Sequence, residues 1–208
     1  LIYKKSFYGR DFFVSPGVLI PRPDTEILIE KTLDNISNKK KVSGIEIGCG
    51  SGAISVTLLL EHSSLSMVAT DIEEIPIEIT SKNAHLNNVE SRLRLIKTDL
   101  FDGVALEHVD FIISNPPYIA YDDLGNLMKD VVEYEPKVAL FAEENGTFFY
   151  RKILEDGKKF LKEDGFVAFE IGCTQAEKVK ELCLKEGFEH VFVHQDLYGL
   201  DRVVIAFR

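Results

Sequence analysis

Short apolar runs alternate with longer segments of helical period along most of this chain, and that alternation predicts strands followed by helices. The predicted strands are rich in β-branched and aromatic residues and are bounded by turn-forming residues. They cover residues 44–47, 65–70, 93–97, 109–113, 166–171, 189–194 and 202–208. Helices are predicted to begin near Ala53, Pro76, Gly146 and Gln175. This order predicts an α/β fold, in which helices cover both faces of a mainly parallel sheet.

The two ends of the chain depart from this alternation. Only residues 195–201 separate the last two predicted strands, which is too short for a helical crossover, so these strands are expected to run antiparallel. Near the amino end, residues 7–14 predict an extended or hairpin segment, and Asp24 is expected to open a helix with an apolar stripe of Ile27, Leu28 and Leu33. A polar linker at about residues 35–41 then divides an N-terminal appendage, residues 1–40, from a main domain, residues 41–208.

Length and charge narrow the class of protein. The chain has 208 residues, of which 45% are hydrophobic and 28% are charged, and this is enough for one domain with its own core. The sum of 24 Lys and Arg against 34 Asp and Glu gives a formal net charge of −10 at pH 7. A field of that sign repels phosphate backbones, so direct binding of nucleic acid is not expected.

The sequence also indicates the cellular compartment in which the protein is expected. No apolar stretch approaches the roughly 18 residues that span a bilayer, and the amino terminus lacks the apolar core of a signal peptide, so no membrane association is expected. Cys49, Cys173 and Cys183 are an odd number without paired spacing, which favours a reducing cytoplasm over a disulfide framework. Because the chain begins at Leu1 and not at Met, we expect it to be the later part of a longer protein.

A glycine-rich turn follows the first predicted strand of the main domain and leads directly into a helix. Gly48, Gly50 and Gly52 remove Cβ atoms from this turn, and the helix start offers unpaired N–H groups, so the segment predicts a nucleotide-like cofactor. Asp71 ends the next strand, where its carboxylate can accept hydrogen bonds from both hydroxyls of a ribose. Both NAD and S-adenosylmethionine carry that ribose, and Gly48-x-Gly50-x-x-Ala53 also fits the loose dinucleotide pattern. A tight turn without a ligand, and Asp71 as a helix N-cap, are the structural alternatives.

The sequence Ser-Asn-Pro-Pro-Tyr, residues 114–118, follows the fourth predicted strand and indicates the reaction. Two successive prolines hold this loop extended, so it presents its groups rigidly. The Asn115 side-chain oxygen and the Pro116 carbonyl can each accept one N–H of a planar NH2 group, and the Tyr118 ring can stack on that plane. Holding an amide nitrogen in line with a sulfonium methyl supplies the orientation that methyl transfer to nitrogen needs. An ordinary Asn-Pro turn is the structural alternative.

Together these motifs resemble the protein-(glutamine-N5) methyltransferases that modify class 1 peptide-chain release factors. These enzymes are a branch of the Rossmann-like, class I S-adenosylmethionine-dependent methyltransferases, and the similarity covers nearly the whole chain. The matching segments are residues 18–26 (Val-Leu-Ile-Pro-Arg-Pro-Asp-Thr-Glu), 46–52, 115–118, 133–136, 139–140 and 170–172, together with Gln175. Asn-Pro-Pro-Tyr is shared with adenine-N6 DNA methyltransferases, whereas Pro-Arg-Pro-Asp-Thr-Glu is much more specific to the glutamine enzymes.

The resemblance implies a fold, a reaction and a set of site residues. The fold would be a mostly parallel seven-stranded sheet with an antiparallel last strand. The reaction would transfer a methyl group from S-adenosyl-L-methionine to the glutamine of the Gly-Gly-Gln motif in class 1 release factors, leaving S-adenosyl-L-homocysteine. The cofactor-binding residues would be Gly48, Cys49, Gly50, Ser51, Gly52, Asp71, Leu100 and Asn115. The substrate-binding residues would be Asn115, Pro116, Pro117 and Tyr118, of which Asn115, Pro116 and Tyr118 are catalytic, and no metal is implied.

Some features depart from the family pattern. Cys49 stands where Thr is common, Leu100 stands where a larger aromatic is often found, and Glu73 and Pro76 replace small residues after Asp71. These differences concern affinity on the adenine side and leave the reaction unchanged. The family also carries a small upstream helical domain that helps to engage the release factor. Because this sequence lacks it, lower substrate affinity is expected.

Other functions and sites fit parts of the sequence. Adenine-N6 DNA methylation would use the same Asn-Pro-Pro-Tyr loop, and methylation of a ribosomal-protein glutamine would differ only in the docking partner. A nicotinamide-dependent dehydrogenase fits the glycines but leaves that loop unexplained, and a non-enzymatic binding module would keep the pocket for stability alone.

Other candidate sites are weaker. Cys49 lacks the neighbours of a nucleophile, and His190 and His194 share a strand at a spacing too long for common metal ligation. The acidic residues between 122 and 135 predict a solvated surface or a contact with a basic partner.

Overall fold

A seven-stranded sheet forms the centre of the protein in the computed structural model, which describes residues 3–120 and 141–208. The strands, in chain order, are β1 Tyr3–Phe7, β2 Arg10–Val14, β3 Val42–Ile47, β4 Leu65–Asp71, β5 Leu93–Lys97, β6 Val109–Ser114, β7 Ile119–Ala120, β8 Phe141–Ala142, β9 Leu161–Glu170, β10 His190–Gln195 and β11 Asp201–Phe207. The helices are α1 Asp24–Ile36, α2 Ala53–Glu61, α3 Glu74–Leu86, α4 Glu143–Gly146, α5 Phe148–Gly157 and α6 Ala176–Lys185, with short 3-10 turns at Glu90–Arg92 and Lys158–Phe160.

The strand order of the central sheet confirms the predicted α/β architecture. The order from one edge to the other is β10-β11-β9-β6-β3-β4-β5. β3 pairs in parallel with both β4 and β6, whereas β11 pairs antiparallel with both β9 and β10. Because Ile47 pairs with Thr70 on one side and with Ser114 on the other, these three strands end at the same level. The loops that follow them therefore meet at one edge of the sheet.

Helices cover both faces of the sheet, as the alternation of apolar residues predicts. In β6 all six residues are buried, and successive side chains enter opposite hydrophobic clusters. Phe111 and Ile113 join the cluster formed with α1, α2 and α3, whereas Ile112 joins the cluster formed with α5 and α6. Burial on both faces explains the unbroken apolar run of residues 111–113, whereas Asp110 of the same strand is buried in ion pairs with two lysines.

The N-terminal residues pack into the first of these clusters. Phe7 and Phe12 of the β1–β2 hairpin lie in it, and so do Leu28 and Ile36 of α1. The hairpin and the helix that begins at Asp24 are both confirmed. The division of the chain into an appendage and a main domain stays a prediction, and α1 reaches Ile36, within the predicted linker.

The predicted apolar stripe of α1 faces the core: Leu28 is fully buried, and Ile27 and Leu33 pack against the same cluster. Ile27 and Leu33 are only partly buried. The buried ridge consists of Thr25, Leu28, Ile29, Thr32 and Ile36. Two of these residues are threonines, which a hydrophobic pattern does not count. Their hydroxyls are buried because they have internal acceptors, the Glu170 carboxylate for Thr25 and the Leu28 carbonyl for Thr32.

Several element boundaries differ from the predicted ones. β9 begins at Leu161 and not at residue 166, because Leu161 already pairs with Val109 before the register shifts. α3 begins at Glu74, two residues before Pro76, and this places the proline in the first turn, where its missing N–H costs nothing. Within the described ranges, no helix combines the length and hydropathy needed to cross a bilayer.

One buried amide ties the N-terminal hairpin to the glycine-rich turn. The Asn83 side chain is fully buried in α3, and its oxygen accepts the Phe13 N–H at 2.7 Å. Its nitrogen donates to the Phe13 carbonyl at 2.9 Å and to the Ser51 carbonyl at 2.8 Å. The amide thus fixes the position of β2 and of the turn after β3 relative to one helix.

We expect Asn83→Ala to lower the free energy of unfolding by about 2–4 kcal/mol, because it leaves several buried backbone groups without a partner. Asn87→Ala, at the C-cap of α3, removes a single side-chain bond to the Asn83 carbonyl and should cost well under half as much. Urea denaturation measures both changes. Equal losses in the two variants would show that the Asn83 amide does not connect the hairpin to the turn.

Candidate functional site

A cavity of about 420 Å³ lies where β3, β4 and β6 end. Such a volume is typical of a pocket for a small organic ligand. Its walls come from the loops after these three strands, from residues 98–100 after β5, and from the segment that precedes α1. In open parallel sheets ligands bind at the carboxyl ends of the strands, and the cavity has that location.

The glycine-rich turn forms the floor of the cavity. Gly48, Gly50 and Gly52 all have positive φ, of 76°, 54° and 77°, a backbone region that favours glycine. The Thr70 carbonyl accepts the N–H groups of both Gly48 and Cys49 at 2.9 Å, so the turn is fastened to the end of β4. The conformation predicted from three closely spaced glycines is therefore present and is held by the neighbouring strand.

Asp71 connects this turn with the start of α3. One carboxylate oxygen accepts the Gly50 N–H at 3.1 Å, and the other accepts the Glu73 N–H at 3.1 Å. Burial raises the pKa of Asp71, and the backbone donors oppose that shift. Glu73, and not Asp71, is the N-cap residue of α3, although Asp71 satisfies one backbone N–H there. The Asp71 carboxylate lines the cavity and is oriented before any ligand binds.

The wall beyond Asp71 is formed by residues 98–100. Leu100 has a positive φ of 48°, which is uncommon for a residue other than glycine. The Thr70 hydroxyl donates to the Leu100 carbonyl at 3.0 Å, and the Thr98 N–H donates to the Asp71 carbonyl at 2.8 Å. These bonds hold the Leu100 backbone against β4 and keep the residue in the cavity wall.

The loop of residues 115–118 is held at both ends. The Ser114 hydroxyl donates to the Ile47 carbonyl at 2.7 Å, which joins the start of the loop to β3. The Gln175 amide nitrogen donates to the Tyr118 carbonyl at 2.8 Å, and its oxygen accepts the Gly172 N–H at 3.0 Å. The two prolines add their own backbone restriction, so the loop is rigid by covalent structure and by hydrogen bonding.

Asn115 is oriented by residues from two other elements. Its side-chain nitrogen donates to the Thr25 hydroxyl at 3.4 Å, and that hydroxyl donates to the Glu170 carboxylate at 2.6 Å. Asn115 lines the cavity, whereas Thr25 and Glu170 are almost fully buried. Since the amide nitrogen faces the fold, the amide oxygen is the atom turned toward a ligand.

The electrostatic character of the cavity is acidic. Among the described residues that line it, Asp71, Glu73 and Asp99 are carboxylates, Arg22 is the cation, and Glu46 is a carboxyl group that is mainly protonated at neutral pH. Burial raises the pKa of Glu46 to about 8, while hydrogen bonds from the backbone N–H and hydroxyl of Ser55 oppose the shift. A cavity with this lining favours a ligand that carries positive charge.

The structure brings most of the predicted site residues together. The predicted residues that line the cavity are Gly48, Cys49, Gly50, Ser51, Asp71, Leu100, Asn115, Pro116 and Pro117. Gly52 and Tyr118 lie outside this lining. A Cβ on Gly52 would approach Thr80 to 2.7 Å, so this glycine allows α3 to pack against the turn. Tyr118 packs beside Gly172, and burial raises its pKa to about 12; its stacking on a ligand stays a prediction.

Sequence reasoning did not assign a role to Thr25, Glu46 or Glu170. Both glutamates are fully buried near the ends of apolar strands, and burial also raises the pKa of Glu170, to about 7. A charged residue inside an otherwise apolar strand is the signal that could have found them, because an ionisable group is buried only where it has partners. Thr25 lies in the Pro-Arg-Pro-Asp-Thr-Glu segment, which marks its position but does not indicate the role of its hydroxyl.

Other predicted features lie away from the cavity or outside the described residues. Burial raises the pKa of Cys49 well above its usual value, which disfavours a nucleophilic thiolate, although a hydrogen bond from the Thr80 hydroxyl opposes that shift. His190 and His194 lie on β10, as predicted. The acidic residues between 122 and 135 lie outside the described residues.

Comparison with known proteins gives consistent matches. The family model described as "Methyltransferase small domain" matches residues 23–138. The release factor glutamine methyltransferase of Aquifex aeolicus is 44% identical over 200 residues, which is 96% of this chain and 70% of that protein. The protein of the same name from Clostridium botulinum is 40% identical over 202 residues, which is 96% of this chain and 71% of that protein.

Solved structures share the fold. The hMettl16 catalytic domain in complex with the MAT2A 3'UTR hairpin 6 superposes with a TM-score of 0.76, at 20% identity, over 96% of this chain and 76% of that one. This similarity confirms the class I methyltransferase architecture predicted from the sequence, and at such identity it concerns the fold alone.

The buried Glu46 makes stability depend on pH. The folded protein keeps the Glu46 proton until about pH 8, whereas an unfolded chain releases it near the ordinary value of 4.5. Between these values the folded state binds more protons, so the free energy of unfolding falls as pH rises. In Glu46→Gln, which cannot ionise, we expect the free energy of unfolding to fall by roughly 1–3 kcal/mol less than in the wild type over this pH range. Urea denaturation at several pH values measures it.

Glu78→Gln is the matched control, because Glu78 is exposed on α3. Its pH profile should run parallel to that of the wild type. The Glu46→Gln profile should keep a smaller slope, since Glu170 also has a raised pKa. Identical slopes for the wild type and Glu46→Gln would contradict the raised pKa of Glu46.

Proposed function

This chain belongs to the family of release factor glutamine methyltransferases, and from that membership we propose its reaction. It transfers a methyl group from S-adenosyl-L-methionine to the side-chain amide nitrogen, N5, of the glutamine in the Gly-Gly-Gln motif of class 1 peptide-chain release factors. The partners are these release factors, and a cytoplasmic location is part of the proposal because release factors act on cytoplasmic ribosomes.

One observation carries the proposal most directly. The glycine-rich turn after β3 and the Asn115 loop after β6 line the same cavity, and their two strands are adjacent in the sheet. A cofactor held by the turn and a planar NH2 group held by the loop would therefore be neighbours. The proposed reaction requires that arrangement, since the methyl group passes directly between the two molecules.

The residues of the cavity fit S-adenosyl-L-methionine. Residues 48–51 and the start of α2 would hold the methionine part, Asp71 would accept hydrogen bonds from the ribose hydroxyls, and Leu100 would border the adenine. The acidic lining complements the positive charges of the sulfonium and ammonium groups. When bound, the cofactor supplies an electrophilic methyl group, and S-adenosyl-L-homocysteine is the product.

The chain's own residues would prepare the glutamine amide. An amide nitrogen is a weak nucleophile because its lone pair is delocalised into the carbonyl group. The Asn115 side-chain oxygen and the Pro116 carbonyl would each accept one N–H, which orients the nitrogen and stabilises the positive charge that develops there. The Tyr118 ring would cover the amide plane. The rigid attachment of the loop through Ser114 and Gln175 means that little reorganisation is needed when the substrate binds.

We expect a class 1 release factor incubated with this protein and S-adenosyl-L-methionine to gain one methyl group, on the glutamine of its Gly-Gly-Gln motif. Peptide mass spectrometry locates the modification. Asn115→Ala should lower kcat by about 100-fold or more, because one of the two acceptors is lost, and should leave cofactor affinity within a few-fold.

Asn38→Ala, at an exposed position, is the matched control and should retain wild-type turnover. A release factor that stays unmodified at enzyme excess would contradict the proposed reaction. In the same assay, incorporation of methyl groups into DNA adenine or into a ribosomal-protein glutamine would favour the alternative substrates.

The cofactor site has a separate test. We expect Asp71→Asn to weaken S-adenosyl-L-methionine binding by about 10-fold to 100-fold, because a neutral amide accepts hydrogen bonds from ribose hydroxyls less strongly than a carboxylate. Isothermal titration calorimetry measures the dissociation constant. Asp102→Asn, at an exposed aspartate outside the cavity lining, should bind as the wild type does. Binding of NAD with no binding of S-adenosyl-L-methionine would exclude this cofactor.

A further inference from the structure

Three residues from separate parts of the chain form a hydrogen-bonded series beside the cavity. Thr25 lies in the first turn of α1, Glu170 is the last residue of β9, and Asn115 follows β6. The Thr25 hydroxyl donates to a Glu170 carboxylate oxygen at 2.6 Å and accepts from the Asn115 side-chain nitrogen at 3.4 Å. The Asn115 side chain is close enough to Glu170 to lower the pKa of its carboxyl group. Only Asn115 of the three is predicted to contact substrate.

The chemistry of these groups gives the series a direction. An ionised carboxylate can only accept hydrogen bonds, so the single proton of the Thr25 hydroxyl is directed to Glu170. The lone pairs of the hydroxyl then face Asn115, and they can be approached only by the NH2 half of its amide. An asparagine amide is nearly symmetric in shape, and its two orientations differ mainly in their hydrogen bonds. Glu170 and Thr25 therefore decide which half faces the cavity.

We propose that Thr25 and Glu170 are positioning residues that hold the Asn115 amide with its oxygen toward the substrate. This inference rests on the proposed function and deepens it. A substrate NH2 group needs an acceptor, and the reversed amide would present a second NH2 group to it. This hydrogen-bonded relay of Glu170, Thr25 and Asn115 would thus keep an acceptor oxygen facing the NH2 group of the substrate. It would exclude the reversed amide, which cannot accept a hydrogen bond from that group.

Ionisation of Glu170 would make the orientation depend on pH. Burial raises the pKa of Glu170 to about 7, and the charge of Asp24 acts in the same direction. The Thr25 hydroxyl, Arg202 and the Asn115 amide oppose this shift. Tyr118 and Tyr150 also face this carboxyl group, and burial raises the pKa of both phenols, so they stay neutral as Glu170 titrates. A protonated Glu170 can donate to the Thr25 hydroxyl, which is then free to donate to the Asn115 amide oxygen and to reverse the amide. We therefore expect kcat to rise with pH as Glu170 ionises.

Two substitutions at Thr25 test the hydroxyl. Thr25→Val keeps the shape of the side chain and removes the hydroxyl, and it should lower kcat by about 10-fold to 100-fold, as expected for one lost buried hydrogen bond. The KM for S-adenosyl-L-methionine should change by less than about twofold. Thr25→Ser restores the hydroxyl and should recover most of the lost kcat. Thr32→Val is the matched control, since Thr32 is buried on the same face of α1 and bonds only to the Leu28 carbonyl in the described contacts.

Glu170→Gln tests the dependence on pH. The glutamine keeps an oxygen that can accept the Thr25 proton, but it does not titrate. The variant should retain measurable turnover and should lose the part of the kcat profile that rises with pH in the wild type. If kcat of Glu170→Gln still rises with pH, with the same midpoint as in the wild type, that rise does not come from Glu170.

A substrate-free measurement separates this inference from the proposed function. In protein labelled with ¹⁵N-asparagine, the Asn115 side-chain NH2 signal is identified by its absence in Asn115→Ala. In the wild type it should shift as Glu170 titrates; Glu170→Gln should abolish that shift, Thr25→Val should reduce it, and Thr25→Ser should keep it. If these shifts are seen but no release factor is methylated, the relay stands and the proposed reaction fails. If Thr25→Val leaves both kcat and the NH2 signal as in the wild type, the relay is overturned.

Discussion

The parallel pairing of β3 with β4 and β6 is the constraint on which the site depends. Parallel strands end at the same edge of a sheet, and here Ile47, Thr70 and Ser114 lie in register at that edge. The glycine-rich turn, Asp71 and the Asn115 loop are far apart in sequence and meet for this reason alone. If one of these strands ran in the opposite direction, its loop would lie at the other end of the sheet and the cavity would lose a wall.

The N-terminal segment completes the site from outside the sheet. Residues between Gly17 and Arg22 line the cavity, and Thr25 reaches Glu170 from the first turn of α1. The Asn83 amide joins β2 to the glycine-rich turn, and Ile75 of α3 lies against Gly17. These contacts explain how a segment that precedes the central sheet in sequence becomes one wall of its binding site. The division into two domains is therefore less informative about function than the contacts across it.

Two buried carboxyl groups link stability to chemistry. Glu46 and Glu170 both have pKa values raised by burial, so each favours the folded state most when it is protonated. In the proposed reaction the ionised form of Glu170 is the one that orients Asn115, whereas Glu46 keeps its proton until about pH 8. The conditions that suit the proposed reaction therefore reduce the stability of the fold, a conflict that is common where polar groups are buried at functional sites.

The sequence by itself determined the fold class, the order of the main strands and the two loops that carry the candidate chemistry. It could do so because apolar periodicity reports burial, and because glycine and proline restrict the backbone through their own covalent structure. It did not determine the buried ridge of α1, the start of β9, or the roles of Thr25, Glu46 and Glu170. Those depend on partners that are distant in the chain, such as Thr25 and Glu170, which are separated by 145 positions. A buried hydroxyl or carboxyl group is stable only beside its partner, and only the tertiary structure brings the two together.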